Sequence, residues 1–182
     1  MDFEIRSGSR ADAAGIARVH VASWRAGYDG VVPDSVLYAD DFESSRLRMW
    51  SDWRFNPGQR VSVCVRTPDD GDATGDEEII GFAAYGPERE RIAGFAGRGE
   101  LYALYLLPEC WGGGGASALI EHTDERLRAE GFREAVLWVL KQNPRARAFY
   151  ERHGWTATGR GDVFSADYEL GLPEIEYHKE LT

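Results

Sequence analysis

The sequence predicts a single α/β domain, on three observations. Apolar segments of strand length alternate with segments whose apolar residues recur at helical spacing, along all 182 residues. The apolar run 101–107, closed by Pro108, leads through the glycines 112–115 into a helical pattern carried by Ala116, Leu119, Ile120, Thr123 and Leu127. A second strand and helix follow: 135–140 is apolar on both faces, as a central strand covered on each side requires, and a short helix starts beyond Asn143. No stretch reads as a linker and the length suffices for a substantial core, so residues 1–182 are read as one domain.

Taken in order, Phe3 to Arg6 reads as an edge strand, and Ser9 with Asp12 forms a helix-start signature. The apolar residues Ala13, Ile16, Ala17 and Trp24 then share one helical face. A second helix is expected over 42–53, and strands over 60–66 and 78–85. The acidic, turn-rich segment 67–77 between those strands reads as a solvated hairpin end. Gly86 and Pro87 mark a turn, and 88–91, alternating Glu and Arg, reads as a solvated loop. Beyond the glycine turn, Asn143 is the expected N-cap with Pro144 at the first helical position, and Gly154 ends that helix. Within it Phe149 is the expected core anchor.

Charge and composition narrow the function. A net charge of −10 disfavours nucleic acid and anionic membranes and favours cationic small molecules, unless the acidity serves solubility alone. Cys64 and Cys110 make neither a disulfide framework nor a metal site. His20, His122, His153 and His178 lack metal-ligand spacing and read as surface or packing residues, so no metal is expected. The opening residues are charged and no apolar run approaches the ~20 residues of a bilayer span, which reads as a soluble cytoplasmic protein without membrane partners.

The strand, glycine run and helix suit a phosphorylated ligand. Glycines permit positive φ and close approach, and the free N–H groups of a first helical turn attract anions. Neither the dinucleotide fingerprint nor the Walker loop fits, because no Lys-Ser or Lys-Thr pair follows and the strand lies past mid-chain. The pattern Asn143-x-x-Ala146-x-x-Phe149-Tyr150-x-x-x-Gly154-Trp155, about 30 residues downstream, closely resembles that of the GNAT superfamily of acetyl-CoA-dependent N-acyltransferases. The likeness is tightest over 100–159.

That resemblance implies a mixed, mostly antiparallel sheet with helices on both faces and two parallel strands splayed around acetyl-CoA. The family's loop, Gln or Arg followed by x-x-Gly-x-Gly/Ala, places Trp111 on its first position and Gly114 and Ala116 on the last two. The implied cofactor contacts are Leu104, Leu106, Trp111, Gly112, Gly113, Gly114, Gly115, Ala116, Ser117, Asn143 and Tyr150. Among them, the Leu106 N–H would polarise the acetyl carbonyl, while Asn143 either contacts the cofactor arm or simply caps its helix.

Acyl transfer to an amine needs a neutral nucleophile, a polarised carbonyl and a proton for the departing thiolate. The resemblance assigns Tyr150 as the general acid, against plain packing, and Glu100 as the base acting through water, against a residue that only opens its strand. Trp24 and Tyr28, one helical turn apart, would roof the acceptor site alongside Glu100, with core packing the other role open to Trp24. Tyr102 and Tyr105 read as packing or pocket wall. The expected activity is direct acetyl transfer to a small, cationic primary amine within a ternary complex, with a homodimer as the candidate assembly. The alternative is a non-catalytic module of the same shape that binds CoA or an amine.

Overall fold

In the computed structural model, residues 2–52, 58–66, 77–89, 97–164 and 171–182 are described. Seven strands form one sheet: β1 (Phe3–Ser7), β2 (Arg60–Arg66), β3 (Glu78–Pro87), β4 (Gly99–Leu106), β5 (Glu134–Leu140), β6 (Thr156–Phe164) and β7 (Leu172–Glu180), in the order β1-β2-β3-β4-β5-β7-β6. All neighbours are antiparallel except β4 and β5. Around the sheet lie α1 (Ala13–Gly27), α2 (Asp34–Leu37), α3 (Phe42–Ser51), α4 (Gly115–Ala129) and α5 (Pro144–Arg152). Helices α1 and α4 pack against the strands on the β4 side of the parallel pair.

The helix starts follow local chemistry. The Asp12 carboxylate accepts from the Ser9 N–H at 2.7 Å and from Arg6 at 2.9 Å, while the Ser9 hydroxyl accepts from the Ala11 N–H at 3.2 Å. This capping box initiates a short 3₁₀ turn that runs straight into α1. At α5, Pro144 stands at the first turn and Asn143 Oδ1 accepts from the Ala146 N–H at 3.0 Å. Val63, Ile80, Phe82, Leu119, Ile120, Leu127, Leu137, Trp155 and Tyr177 are almost wholly buried, each removing enough apolar surface from water to stabilise the fold by about 1.5–3 kcal/mol.

One irregularity creates the working space of the molecule. Strands β4 and β5 pair only where Gly99, Glu100 and Leu101 face Ala135, Val136 and Leu137. Beyond that point β4 stays with β3 as far as Leu106, and β5 stays with β7 as far as Leu140. A wedge therefore opens between the two strands. A bulge adds to it: Ala84 faces Ala103 but Tyr85 faces Leu101, leaving Tyr102 as the extra residue that bends β4.

Several expectations need adjustment. The strand expected to end at residue 85 runs on to Pro87, because Gly86 and Pro87 still pair with Glu100 and Gly99. The helix expected over 42–53 ends at Ser51, and residue 53 lies outside the described residues, as does the segment 67–76 and the second half of 88–91. Arg89 stays exposed, as expected of a solvated loop, but the Glu88 side chain is buried, and both residues are tied down. Glu88 binds Arg98 at 2.8 Å and Arg89 binds Glu100, which ties the end of β3 to the start of β4.

Candidate active site

The glycine turn is built around one carbonyl. The Leu106 carbonyl at the end of β4 accepts from the Ser23 hydroxyl at 2.6 Å and from the Trp111 indole N–H at 3.1 Å, which fixes the strand end between α1 and the turn. Gly112 and Gly114 have φ of 82° and 90°, values that side chains rarely adopt. A Cβ at Gly115 would stand 3.0 Å from a Leu106 methyl and 3.3 Å from the Cys64 sulfur, so any larger residue here would press on both side chains. The Gly113 N–H is used by the Cys110 carbonyl and the Ala118 N–H by the Gly114 carbonyl. The N–H groups of 114–117 are the first-turn donors that no helical carbonyl precedes.

A cavity of about 690 Å³ fills the wedge and reaches this turn. Its wall includes Trp111, Gly112, Gly114, Ala116 and Ser117 of the turn, Leu104 and Leu106 of β4, Asn143 and Tyr150 at α5, and Trp24 and Tyr28 at the end of α1. Gly113 and Gly115 belong to the turn without reaching the wall. Asn143 spends its carbonyl oxygen on the helix cap and keeps its amide N–H groups for a ligand, so the two roles read from sequence are compatible.

Tyr150, and not Phe149, is the inner anchor of α5. Tyr150 is buried and faces Trp155 and Tyr177, whereas Phe149 is only partly buried. The helix turns its tyrosine toward the wedge and the apolar base of the sheet together. Burial, with a further contribution from the Tyr105 phenol, pushes the Tyr150 phenol well above its ordinary pKa, so it is protonated at any physiological pH. Its hydroxyl makes no hydrogen bond among the described residues and borders the cavity.

Glu100 is placed differently. It neither opens the strand to solvent nor lies on the cavity wall: its carboxylate is fully buried and accepts from the Arg89 N–H at 2.7 Å, Nε at 3.1 Å and Nη2 at 2.6 Å. It is Arg89 that reaches the cavity.

Where α1 ends, Trp24 and Tyr28 meet edge to face at 5.1 Å, and the Tyr28 and Tyr105 hydroxyls are 3.4 Å apart. One cation already covers Trp24, the Arg46 guanidinium 4.9 Å from its ring, so this tryptophan serves packing as well as the wall. Burial first, then Tyr105, Tyr150 and Glu174, raise the Tyr28 pKa. Glu174 is the acid that sequence reading missed: buried on β7, it lines the cavity beside these phenols. Its strand reads Glu-Ile-Glu-Tyr, an alternation that suggests a solvent face for Glu174 and Glu176, yet both carboxylates are buried.

His153 packs, as expected, with its ring 4.4 Å from that of Phe149. It lines the cavity, with Nδ1 2.9 Å from the Phe149 carbonyl and Nε2 3.0 Å from the Ser117 hydroxyl. A carbonyl only accepts, so Nδ1 donates to it, and the Nε2 contact with the Ser117 hydroxyl links α5 to the first turn of α4. Burial pushes the Cys64 thiol up to about 12 and also raises Cys110, so neither is a thiolate at neutral pH. Among the described residues no group of His, Cys, Asp and Glu is disposed to hold a metal ion, and no helix is long and apolar enough to cross a membrane.

Comparison with known proteins bears on this arrangement. The model of the "Acetyltransferase (GNAT) family" matches residues 24–155. The uncharacterized N-acetyltransferase YuaI of Bacillus subtilis (strain 168) is 33% identical, over 97% of this chain and 96% of its own. The spermidine N(1)-acetyltransferase of Thermoplasma acidophilum is 25% identical over 85% of this chain and 89% of its own. The crystal structure of the PaiA N-acetyltransferase from Thermoplasma acidophilum, in complex with coenzyme A, superposes with a TM-score of 0.64 at 21% identity, covering 99% of each chain. That last likeness is one of fold.

Proposed function

This chain belongs to the acetyltransferase (GNAT) family, and from that premise we propose that it moves the acetyl group of acetyl-CoA to a primary amine of a small, cationic acceptor, directly, within a ternary complex. The observation that carries the reading is the cavity in the wedge. It joins a glycine turn with free first-turn N–H groups, a protonated phenol and a buried carboxylate among aromatic rings. Such a space offers contacts to a polyanion and to a cation together. The Thermoplasma relative named for spermidine supports a cationic acceptor.

On this reading the diphosphate of acetyl-CoA lies over 112–117 and its acyl arm runs along β4 toward Tyr150. The Leu106 N–H polarises the carbonyl, and the held Leu106 carbonyl, in the next peptide plane, fixes the strand end that carries this donor. An alkylammonium with a pKa near ~10.4 is almost wholly protonated at neutral pH, so one proton must leave before attack. Glu174 holds the ammonium end of the acceptor at the cavity wall. Glu100 serves as the base through water, with its carboxylate held by the three Arg89 donors it accepts. The neutral amine adds to the carbonyl carbon and the C–N bond forms, the surplus proton on nitrogen passes to water, and the C–S bond breaks as Tyr150 passes its proton to the sulfur. The products are the N-acetylated amine and CoA, and the tyrosinate regains a proton from solvent. Cytoplasmic residence and a homodimer belong to the same proposal. The exposed Tyr38, Leu47 and Met49 would supply apolar surface for pairing, which light scattering tests.

The deciding experiment is a panel of polyamines, amino sugars, lysine-like amines and neutral or acidic amines with acetyl-CoA, read by thiol release. Turnover concentrated in the cationic members is the expected result. CoA binding without thiol release from any amine would instead make the protein a binding module.

A further inference from the structure

A nucleophile and a base stand side by side on the cavity wall, and the acetyl transfer described above uses neither for its chemistry. The Ser117 hydroxyl, in the first turn of α4, lies 3.0 Å from His153 Nε2, and both residues line the cavity. The other ring nitrogen, Nδ1, donates to the Phe149 carbonyl at 2.9 Å. In the neutral ring the single proton therefore sits on Nδ1, and Nε2 is left to accept from the serine hydroxyl. This is the tautomer a general base needs to draw a proton from a serine.

The imidazole is held from several sides. Its ring packs on that of Phe149 at 4.4 Å, and its backbone carbonyl accepts from Lys179 Nζ at 2.7 Å. Lys179 also pairs with Asp124 of α4 at 2.5 Å, so His153 is tied through its backbone to the helix that carries Ser117. The two helix ends favour the charges that develop when the serine attacks. The carbonyl end of α5, where Nδ1 donates, stabilises an imidazolium, in the place where a triad has its carboxylate. The N–H end of α4 stabilises an oxyanion. Ala146 and Phe149, on the face of α5 that leads to His153, line the cavity and offer an apolar seat for a short acyl chain.

We propose that Ser117 and His153 are a nucleophile and base that hydrolyse small carboxylic esters while the cavity holds no CoA. Ser117 Oγ bonds to the ester carbonyl carbon as its proton passes to His153 Nε2. The ester C–O bond then breaks, His153 gives the proton to the departing alcohol, and the acyl group stays on Ser117. Water attacks this acyl-serine and loses a proton to His153, the carboxylic acid leaves, and Ser117 Oγ takes the proton back. The pair stands without the acetyl-CoA reading. Only its exclusion by CoA, whose diphosphate would lie over the same turn, rests on that reading.

Two measurements on protein freed of CoA test it: hydrolysis of p-nitrophenyl acetate, and labelling by a fluorophosphonate located by peptide mass spectrometry. Wild type should release p-nitrophenol above the buffer rate and carry the label on Ser117. In Ser117→Ala and in His153→Gln, kcat/KM for the ester should fall by about 10² to 10⁴ while the melting temperature holds. Labelling of wild type depends on no variant folding, so a label absent from Ser117 overturns the proposal by itself. Hydrolysis that never exceeds the buffer rate, or that survives in Ser117→Ala, also overturns it. Added CoA should suppress both hydrolysis and labelling. A Ser117 that is labelled equally well in the presence of CoA upholds the pair and overturns the placing of the diphosphate at 112–117 instead.

Discussion

At the scale of single residues, the phenol of Tyr150 and the carboxylate of Glu174 divide the proposed reaction between leaving group and acceptor. Tyr150→Phe removes one oxygen that bonds to nothing among the described residues, so the melting temperature and CoA affinity should hold while kcat falls by about 10² to 10⁴. Equal kcat in mutant and wild type, with chemistry rate-limiting, would take Tyr150 out of the mechanism. Glu174→Gln keeps the shape and loses the charge. It should raise KM for a cationic amine by about 10-fold and leave KM for acetyl-CoA unaltered, and an unchanged amine KM would move acceptor recognition elsewhere. The sequence made Tyr150, Asn143 and the glycines legible because their motif is local, contained in a strand, a turn and a helix start. Glu174, Arg89 and His153 were hidden for the opposite reason. Glu174 reaches the wedge only because β7 pairs with β5, and His153 matters only because Ser117, far away in sequence, meets its ring.

At the scale of elements, the turn from β4 into α4 combines two needs for glycine. Gly114 is required for its φ of 90°, where an added Cβ meets only Phe3 at 3.9 Å, so the strain of Gly114→Val is conformational and on the order of 1–3 kcal/mol. Gly131, with φ 95° and open space around it, offers the same strain at the far end of α4. Both valine variants should melt earlier, but only Gly114→Val should weaken CoA binding, by about 10-fold or more. Equal CoA affinity in the two would place the anion site outside this turn. Most elements could be read from periodicity, since β2 matches the expected 60–66 and the buried face of α4 matches the expected spacing. What periodicity misses is pairing: the three-residue contact of β4 with β5, the bulge at Tyr102 and the ion pairs of Glu88 and Arg89 depend on neighbours distant in sequence.

At the scale of the whole molecule, acid should loosen the fold well above the carboxylate range, through His20. Its ring is buried beside Trp24, Phe82 and Tyr105, accepts from the Trp50 indole at 3.1 Å, and is lowered to about 3, by burial first and by the Arg46 charge second. A histidine near 6.5 when unfolded binds a proton that the folded state refuses, so this contribution is whole above about 6.5 and is lost as pH falls toward the folded value, by up to ~1.4 kcal/mol per pH unit. Melting temperature should drop from about pH 7 to pH 5 in wild type and less steeply in His20→Gln, and parallel curves would dismiss His20 as the cause. The short contact between β4 and β5 has a different consequence. It leaves the sheet as two panels, β1 to β4 and β5 to β7, in register over three residue pairs at one end only. A molecule seated in the wedge bridges the panels, adding stability that grows with the logarithm of its concentration. Amide hydrogen exchange along Tyr102 to Leu106 and Trp138 to Leu140 should therefore slow as CoA is added, and the protein's survival against proteases should follow the supply of its cosubstrate.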